Sequence, residues 1–236
     1  MSKMPQKTIG LLGGMSWEST ETYYRLLNEG VKAALGGLHS AKILLHSFDF
    51  SEIEEMQMAG DWEKSGDVLA NAAAGLENAG ADVILICTNT MHKLADQVIA
   101  GTNIPLLHIA DATATAIKTK GYKKVALLGS SFTMEQDFYK GRLIDKHGID
   151  VIIPEGADRQ IIHNVIYDEL CLGKITENSR ANYVRIIENL NKAGAEAVIL
   201  GCTEIGLLIS NADTDVPLLD TTKIHTEAAV RFTVGK

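Results

Sequence analysis

Two short stretches of this chain hold its most reactive side chains: Cys87-Thr88-Asn89-Thr90 and Gly201-Cys202-Thr203-Glu204. Each follows a run of aliphatic residues that reads as a buried strand. A free cysteine titrates near 8.5, and a helix start or a nearby cation lowers that value, making a thiolate base or nucleophile. Cys202 ends such a run and precedes Thr203-Glu204-Ile205, where the pattern predicts a helix whose dipole favours the thiolate. A lone cysteine is most often a small buried hydrophobe. The strand-end position and the polar residues that follow favour a functional Cys202. Cys171 falls within an evident helical stretch and reads as structural.

Cys87 and Thr88 compete for one place. Neighbouring strand residues point to opposite sides, so only one of them faces a ligand directly. Laying Ala79 on Ala193 sets Asp82 against Glu196, Ile86 against Leu200, and Thr88, not Cys87, against Cys202. Thr88 is therefore expected at the site, with Cys87 packed behind it. Proton exchange at a stereocentre needs one proton-handling group on each side of the carbon. Asn89, Thr90 and Thr203 offer hydroxyls, an amide and backbone N–H groups at helix starts, which suit a carboxylate. Met15, Ser16 and Thr133 can supply further walls. The hydroxyl and amide residues also cap helices, a role compatible with binding. His92 can orient a site group or simply be a satisfied helix histidine. Arg25, Lys93 and Lys174 are candidates for a side-chain carboxylate, and each can equally be a solvated helix charge.

The elements that must position these residues occur twice. Thr8 to Leu12, Val83 to Ile86 and Pro105 to Ile109 read as parallel strands buried on both faces. Between them, 18–32 and 66–79 have helical spacing. The order then restarts: Lys124 to Gly129 echoes Thr8 to Gly13, Ala193 to Glu196 echoes Ala79 to Asp82, and Val216 to Leu219 echoes Ile104 to Leu107. The expected fold is α/β, with two pseudo-symmetric parallel-sheet domains and a cleft between them at the strand C-terminal ends. Residues 1–113 with 220–236 make the first domain and 114–219 the second, with 224–232 as a closing helix.

Composition narrows the role. With 46% hydrophobic residues, 22% charged residues and a net charge of −8, the chain reads as an ordinary globular protein without a basic stripe for nucleic acid. No apolar run approaches a membrane span and no signal segment is evident, so a cytoplasmic location is expected. Three cysteines without Cys-x-x-Cys spacing argue against a disulfide framework or a zinc site, and Gly13-Gly14 lacks the dinucleotide fingerprint. No cofactor and no metal are expected.

Four segments carry a family resemblance over nearly the whole chain: Ile9-Gly10-Leu11-Leu12-Gly13-Gly14-Met15-Ser16-Trp17, Asn89-Thr90-Met91-His92, Thr133-Met134-Glu135-Gln136 and Gly201-Cys202-Thr203-Glu204. Together they resemble the aspartate/glutamate racemase family in its amino-acid racemase branch. The resemblance implies Cα proton exchange between two cysteines, without pyridoxal phosphate or metal, on a small amino-acid substrate, in a protein that often forms homodimers. It implies that Met15, Gln57, Thr88, Asn89, Thr90, Thr133 and Thr203 lie near substrate. Gln57 rests on the resemblance alone. Where the family carries the first cysteine this chain has Thr88, which implies a reaction that is asymmetric in favour of one enantiomer or else slow in both directions. Two other readings fit the same architecture: a Cys-dependent isomerase or decarboxylase of a diacid such as maleate, and a non-catalytic amino-acid binding protein.

Overall fold

The computed structural model describes residues 5–235. The chain divides into two compact units, one running to His108 and resuming at His225, the other spanning Ile109–Ile224. The expectation had set the crossings at 113 and 220. The first crossing falls at His108 because helix α5 (Ile109–Thr119) buries Ile109, Ala110, Ala114 and Ile117 in the second unit's core. The return falls inside helix α10 (Thr221–Val234): Ile224 packs against the second core, while Ala229 and Val230 lie in the first.

The first unit contains β1 (Thr8–Gly13), α1 (Trp17–Leu35), β2 (Lys42–Ser47), α2 (Phe50–Ala59), α3 (Trp62–Asn78), β3 (Val83–Ile86) and α4 (Ala95–Ala100). Its parallel sheet has the order β2-β1-β3. α1 starts at Ser16, whose hydroxyl accepts from the Ser19 N–H, and buries Tyr23, Leu27 and Val31 along one stripe. α3 buries Leu69, Ala72, Ala73 and Leu76. The strand expected over 105–109 is reduced to one bridge, Ile84 to Leu106, because Ile109 already opens α5. The outer strand β2 carried no signal in the sequence.

The second unit contains α5, β4 (Lys124–Gly129), α6 (Ser131–Glu135), β5 (Asp150–Ile152), α7 (Gly156–Asp168), α8 (Glu177–Lys192), β6 (Ala197–Gly201), α9 (Ile205–Leu208) and β7 (Leu218–Asp220). Its sheet is also parallel, in the order β5-β4-β6-β7. The repeat extends to single hydrogen bonds. The Asp82 carboxylate accepts from the Thr8 N–H at 2.6 Å, and its counterpart Glu196 accepts from Lys123 and Lys124 at 2.6 and 2.9 Å. Ile84 N–H donates to Pro105 O, and Val198 N–H donates to Pro217 O. Ser16 caps α1 and Ser130 caps α6 in the same way. Two parallel-sheet α/β domains of matching plan are thus present. Among the described residues no helix is long and apolar enough to cross a membrane.

Candidate active site

Strand register fixes which residues of the two turns correspond. Leu12 of β1 is level with Ile86 of β3, and Leu128 of β4 is level with Leu200 of β6. Thr88 and Cys202 each lie two residues beyond those partners. Both are partly exposed.

In the first unit, Cys87 is 1% exposed and packs in a core with Ile9, Leu11, Tyr23, Leu27 and Leu85. Burial pushes its thiol well above the ordinary range, so it stays protonated. Its carbonyl accepts from the Ser19 hydroxyl at 2.8 Å. The next carbonyl, that of Thr88, lies 2.7 Å from His92 Nδ1. A carbonyl can only accept, so Nδ1 carries the proton. The His92 ring lies 4.7 Å from that of His108 and 5.7 Å from that of His225. His225 is buried and its pKa falls to about 4, chiefly through desolvation. Neutral His225 donates from Nε2 to Leu107 O and accepts from the Tyr23 hydroxyl at Nδ1, both at 2.8 Å. The Thr88 turn therefore rests on a floor of ordered imidazoles. Asn89 is buried and Thr90 partly exposed at the start of a 3₁₀ turn, Thr90–Leu94.

Met15 and Gln57 are both buried, and Gln57 Nε2 donates to Met91 Sδ at 2.9 Å. Met15 belongs to the same core as Met91, itself a residue of the 3₁₀ turn. Gly14 closes the strand-to-helix turn beside them at φ +84°; a Cβ there would sit 2.2 Å from Phe48 O.

In the second unit, Cys202 Sγ donates to Glu204 Oε2 at 2.9 Å, and the Thr203 hydroxyl donates to the same oxygen at 2.7 Å. Desolvation, followed by the Glu204 carboxylate, holds the Cys202 thiol well above its usual pKa. This corrects the expectation of a helix-stabilised thiolate. α9 has only four residues and begins three positions later, too short to oppose burial and an adjacent carboxylate. Resting Cys202 is a thiol aimed at a carboxylate. Thr133 is buried against Gly129 and Gly201 and shares a hydrogen bond with Ser130.

The basic candidates separate cleanly. Arg25 is half-exposed between Glu21 and Glu29 on its own helix, and Lys174 is exposed. Lys93 sits 3.9 Å over the Trp62 ring, and burial lowers its pKa. Cys171 packs against the second unit's core. Sequence reasoning gave no role to His225 or Tyr23, because their contact spans the length of the chain. The dual acceptor role of Glu204 was equally hidden, although its adjacency to Cys202 was visible. Among the described residues no three His, Cys, Asp or Glu side chains group to hold a metal ion.

Residues 12–229 match the family described as Asp/Glu/Hydantoin racemase. The chain belongs to that family. A protein from Yersinia pestis, provisionally named an Asp/Glu racemase, is 56% identical, with a TM-score of 0.91 over 97% of this chain and 99% of that one. An aspartate racemase homologue from Pyrococcus horikoshii OT3 is 34% identical, with a TM-score of 0.83 over 98% and 100% of the two chains. The broad specificity amino-acid racemase RacX of Bacillus subtilis is 20% identical over 94% of this chain and 96% of its own length. The protein is an amino-acid racemase, an isomerase of a family that works without pyridoxal phosphate. In this racemase the two turns differ where the family motif would place two cysteines: one carries a thiol beside a carboxylate, the other a hydroxyl above a histidine floor.

Proposed function

We propose that this racemase interconverts the enantiomers of an acidic amino acid of the aspartate/glutamate class, with Cys202 and Thr88 taking opposite faces of Cα and with solvent exchange of one enantiomer's Cα proton strongly favoured. The observation that carries the reading is the equivalence of Thr88 and Cys202 at partly open positions, with Cys87 buried behind. Resting Cys202 is protonated, so it must lose a proton before it can accept one from Cα. Glu204 Oε2, 2.9 Å away, is the built-in acceptor. The substrate's α-ammonium brings the positive charge that makes a thiolate affordable in this partly desolvated setting beside a carboxylate. Cys202 then removes the Cα proton from one enantiomer and is a thiol again. On the other face the Thr88 hydroxyl relays a proton from solvent water to the carbanion, and the proton taken up by Glu204 neutralises the hydroxide that water leaves behind. A hydroxyl exchanges protons with the carbanion far more slowly than a thiol, so the asymmetry lies in deuterium exchange, fastest for the enantiomer whose Cα–H faces Cys202; racemisation itself, with an equilibrium constant of one, has equal kcat/KM in both directions.

In this reading Asn89, Thr90 and Thr203 hold the α-carboxylate, Thr133 holds the turn beneath Cys202, and Met15 and Gln57 shape the floor. Lys93 is the cation adjacent to the turn and the choice for a side-chain carboxylate. No cofactor is required by these steps. Three free cysteines fit a reducing cytoplasm, and the active form is a homodimer. The test is a panel of L- and D-amino acids incubated with the enzyme in deuterated water and read by NMR at Cα and by chiral chromatography. One enantiomer of aspartate or glutamate should exchange much faster than the other. Equal exchange of both enantiomers, or exchange of a non-acidic amino acid alone, overturns the reading.

A further inference from the structure

Where the strand ladders end, the two turns are held by different means. In the first unit the pairing of β1 with β3 stops at Leu12 and Ile86, and the Cys87 N–H still reaches Leu12 O at 2.9 Å. β1 then turns away at Gly14, so the next two carbonyls of the other strand have no ladder to join. Side chains donate to them instead. The Ser19 hydroxyl bonds Cys87 O at 2.8 Å, and His92 Nδ1 bonds Thr88 O at 2.7 Å. Both donors are buried, Ser19 in the first turn of α1 and His92 in the 3₁₀ turn. A carbonyl shut away from water needs such a partner, and losing it leaves a costly orphan. The His92 ring is itself held by the rings of His108 and His225, at 4.7 and 5.7 Å.

The internal repeat shows that the fold does not demand this pair. In the second unit the ladder runs one residue further, to Gly129 and Gly201. Thr133 stands where Ser19 stands, and its hydroxyl shares a hydrogen bond with Ser130. Gly206 stands where His92 stands, and Cys202 O accepts from the backbone N–H of Ile205 at 3.2 Å. A Cβ on Gly206 would already lie 3.1 Å from Asp220 Oδ2. What separates the turns is the choice each must make. Neighbouring extended residues face opposite sides, so reorienting the peptide planes of the first turn would exchange Cys87 for Thr88. Gly201 leaves the second turn only Cys202 to present.

We propose that His92 and Ser19 are positioning residues for the racemase reaction: by holding two successive carbonyls they fix the peptide planes that turn Thr88 toward substrate and keep Cys87 in the core. Neither acts on the reacting carbon directly. The inference rests on the reading of Thr88 as the group on the second face of Cα. A relay through a hydroxyl depends on placement, and a displacement of about 1 Å costs about a hundredfold. Cys202 is held by its own unit and does not depend on the pair. Loss of either donor should therefore spare deuterium exchange at the Cys202 face and impair inversion, which needs both faces.

The experiment follows two rates for the faster-exchanging enantiomer in deuterated water: deuterium uptake at Cα with retention, read by NMR, and inversion, read by chiral chromatography. His92→Leu keeps an apolar side chain and removes the donor. Inversion should fall by about a hundredfold while uptake with retention stays within about threefold of native. His92→Asn returns an N–H close to the place of Nδ1 and should recover inversion to within about tenfold of native. Ser19→Ala deletes only a hydroxyl, so it carries the test where the change at His92 disturbs folding; it should lower inversion by about tenfold and spare uptake. Equal loss of both rates in these variants, or His92→Asn no better than His92→Leu, overturns positioning in favour of simple packing. Thr88→Val separates this inference from the reading beneath it. If inversion survives Thr88→Val, the role of Thr88 falls and the positioning role with it. If Thr88→Val stops inversion while His92→Leu and Ser19→Ala leave it native, the positioning role alone is overturned.

Discussion

The turns after β3 and β6 have the same backbone plan and opposite chemistry. At the first position one turn has Cys87 and the other Gly201. A Cβ on Gly201 would sit 2.7 Å from both Leu128 O and Leu127 Cδ1, so the second turn has no room for a side chain there. At the next position Cys202 meets a carboxylate, while the Thr88 backbone is held by an imidazole. The duplicated scaffold sets where a group stands. Its neighbours set what that group can do, and neighbours diverge more easily than strand register.

The sharpest way to break this contrast is Cys202→Ser. Exchange of the Cα proton should fall by about a thousandfold or more, within the range that a general acid–base group contributes. Circular dichroism should be unchanged. Near-native exchange in that variant would move the chemistry out of the second turn. Thr88→Cys should erase much of the asymmetry, raising deuterium uptake of the slow enantiomer by about a hundredfold and that of the fast one far less. Cys87→Ala is the companion control and should leave both rates close to native. Loss of activity there would make Cys87 the second group instead.

Two pH experiments sharpen the comparison. Cys202 ionises only above the ordinary thiol range, so exchange should climb with pH as thiolate forms. Glu204→Gln removes both the negative charge that opposes ionisation and the acceptor of the Cys202 proton, so it should lower the maximal exchange rate while shifting the climb toward lower pH. An unshifted profile would separate the carboxylate from the thiol. In the first unit, His225 titrates near about 4 in the fold and near 6.5 when unfolded. Below about pH 6.5 the unfolded chain binds the extra proton, so stability falls as pH drops toward about 4, by an amount on the order of 3 kcal/mol. Urea denaturation of native protein and His225→Gln at pH 7 and pH 4.5 measures this, and the variant should lose less on acidification.

Much of the architecture was legible in the residues. Continuous aliphatic runs marked β1, β3, β4 and β6, because a parallel strand covered on both faces needs apolar residues at every position. The outer strands β2 and β5 gave no such signal: β5 is too short to show a pattern, and β2 mixes Lys42, His46 and Ser47 with its leucines. The strand expected at 105–109 failed because Ile109 is as apolar in a helix start as in a strand, and only the second unit's core decides between them.

The sequence by itself determined the duplication, the pairing of Thr88 with Cys202 and the family, because repeat register and motif order are linear properties of a chain. Tertiary structure alone decided the protonation of the site. A thiol's pKa depends on which groups surround it and how much water they exclude. Burial together with the Glu204 carboxylate outweighs a helix start that the linear pattern made look favourable. The same holds for the imidazole floor beneath Thr88, where Tyr23 and His225 meet only because the chain's last helix returns to its first unit.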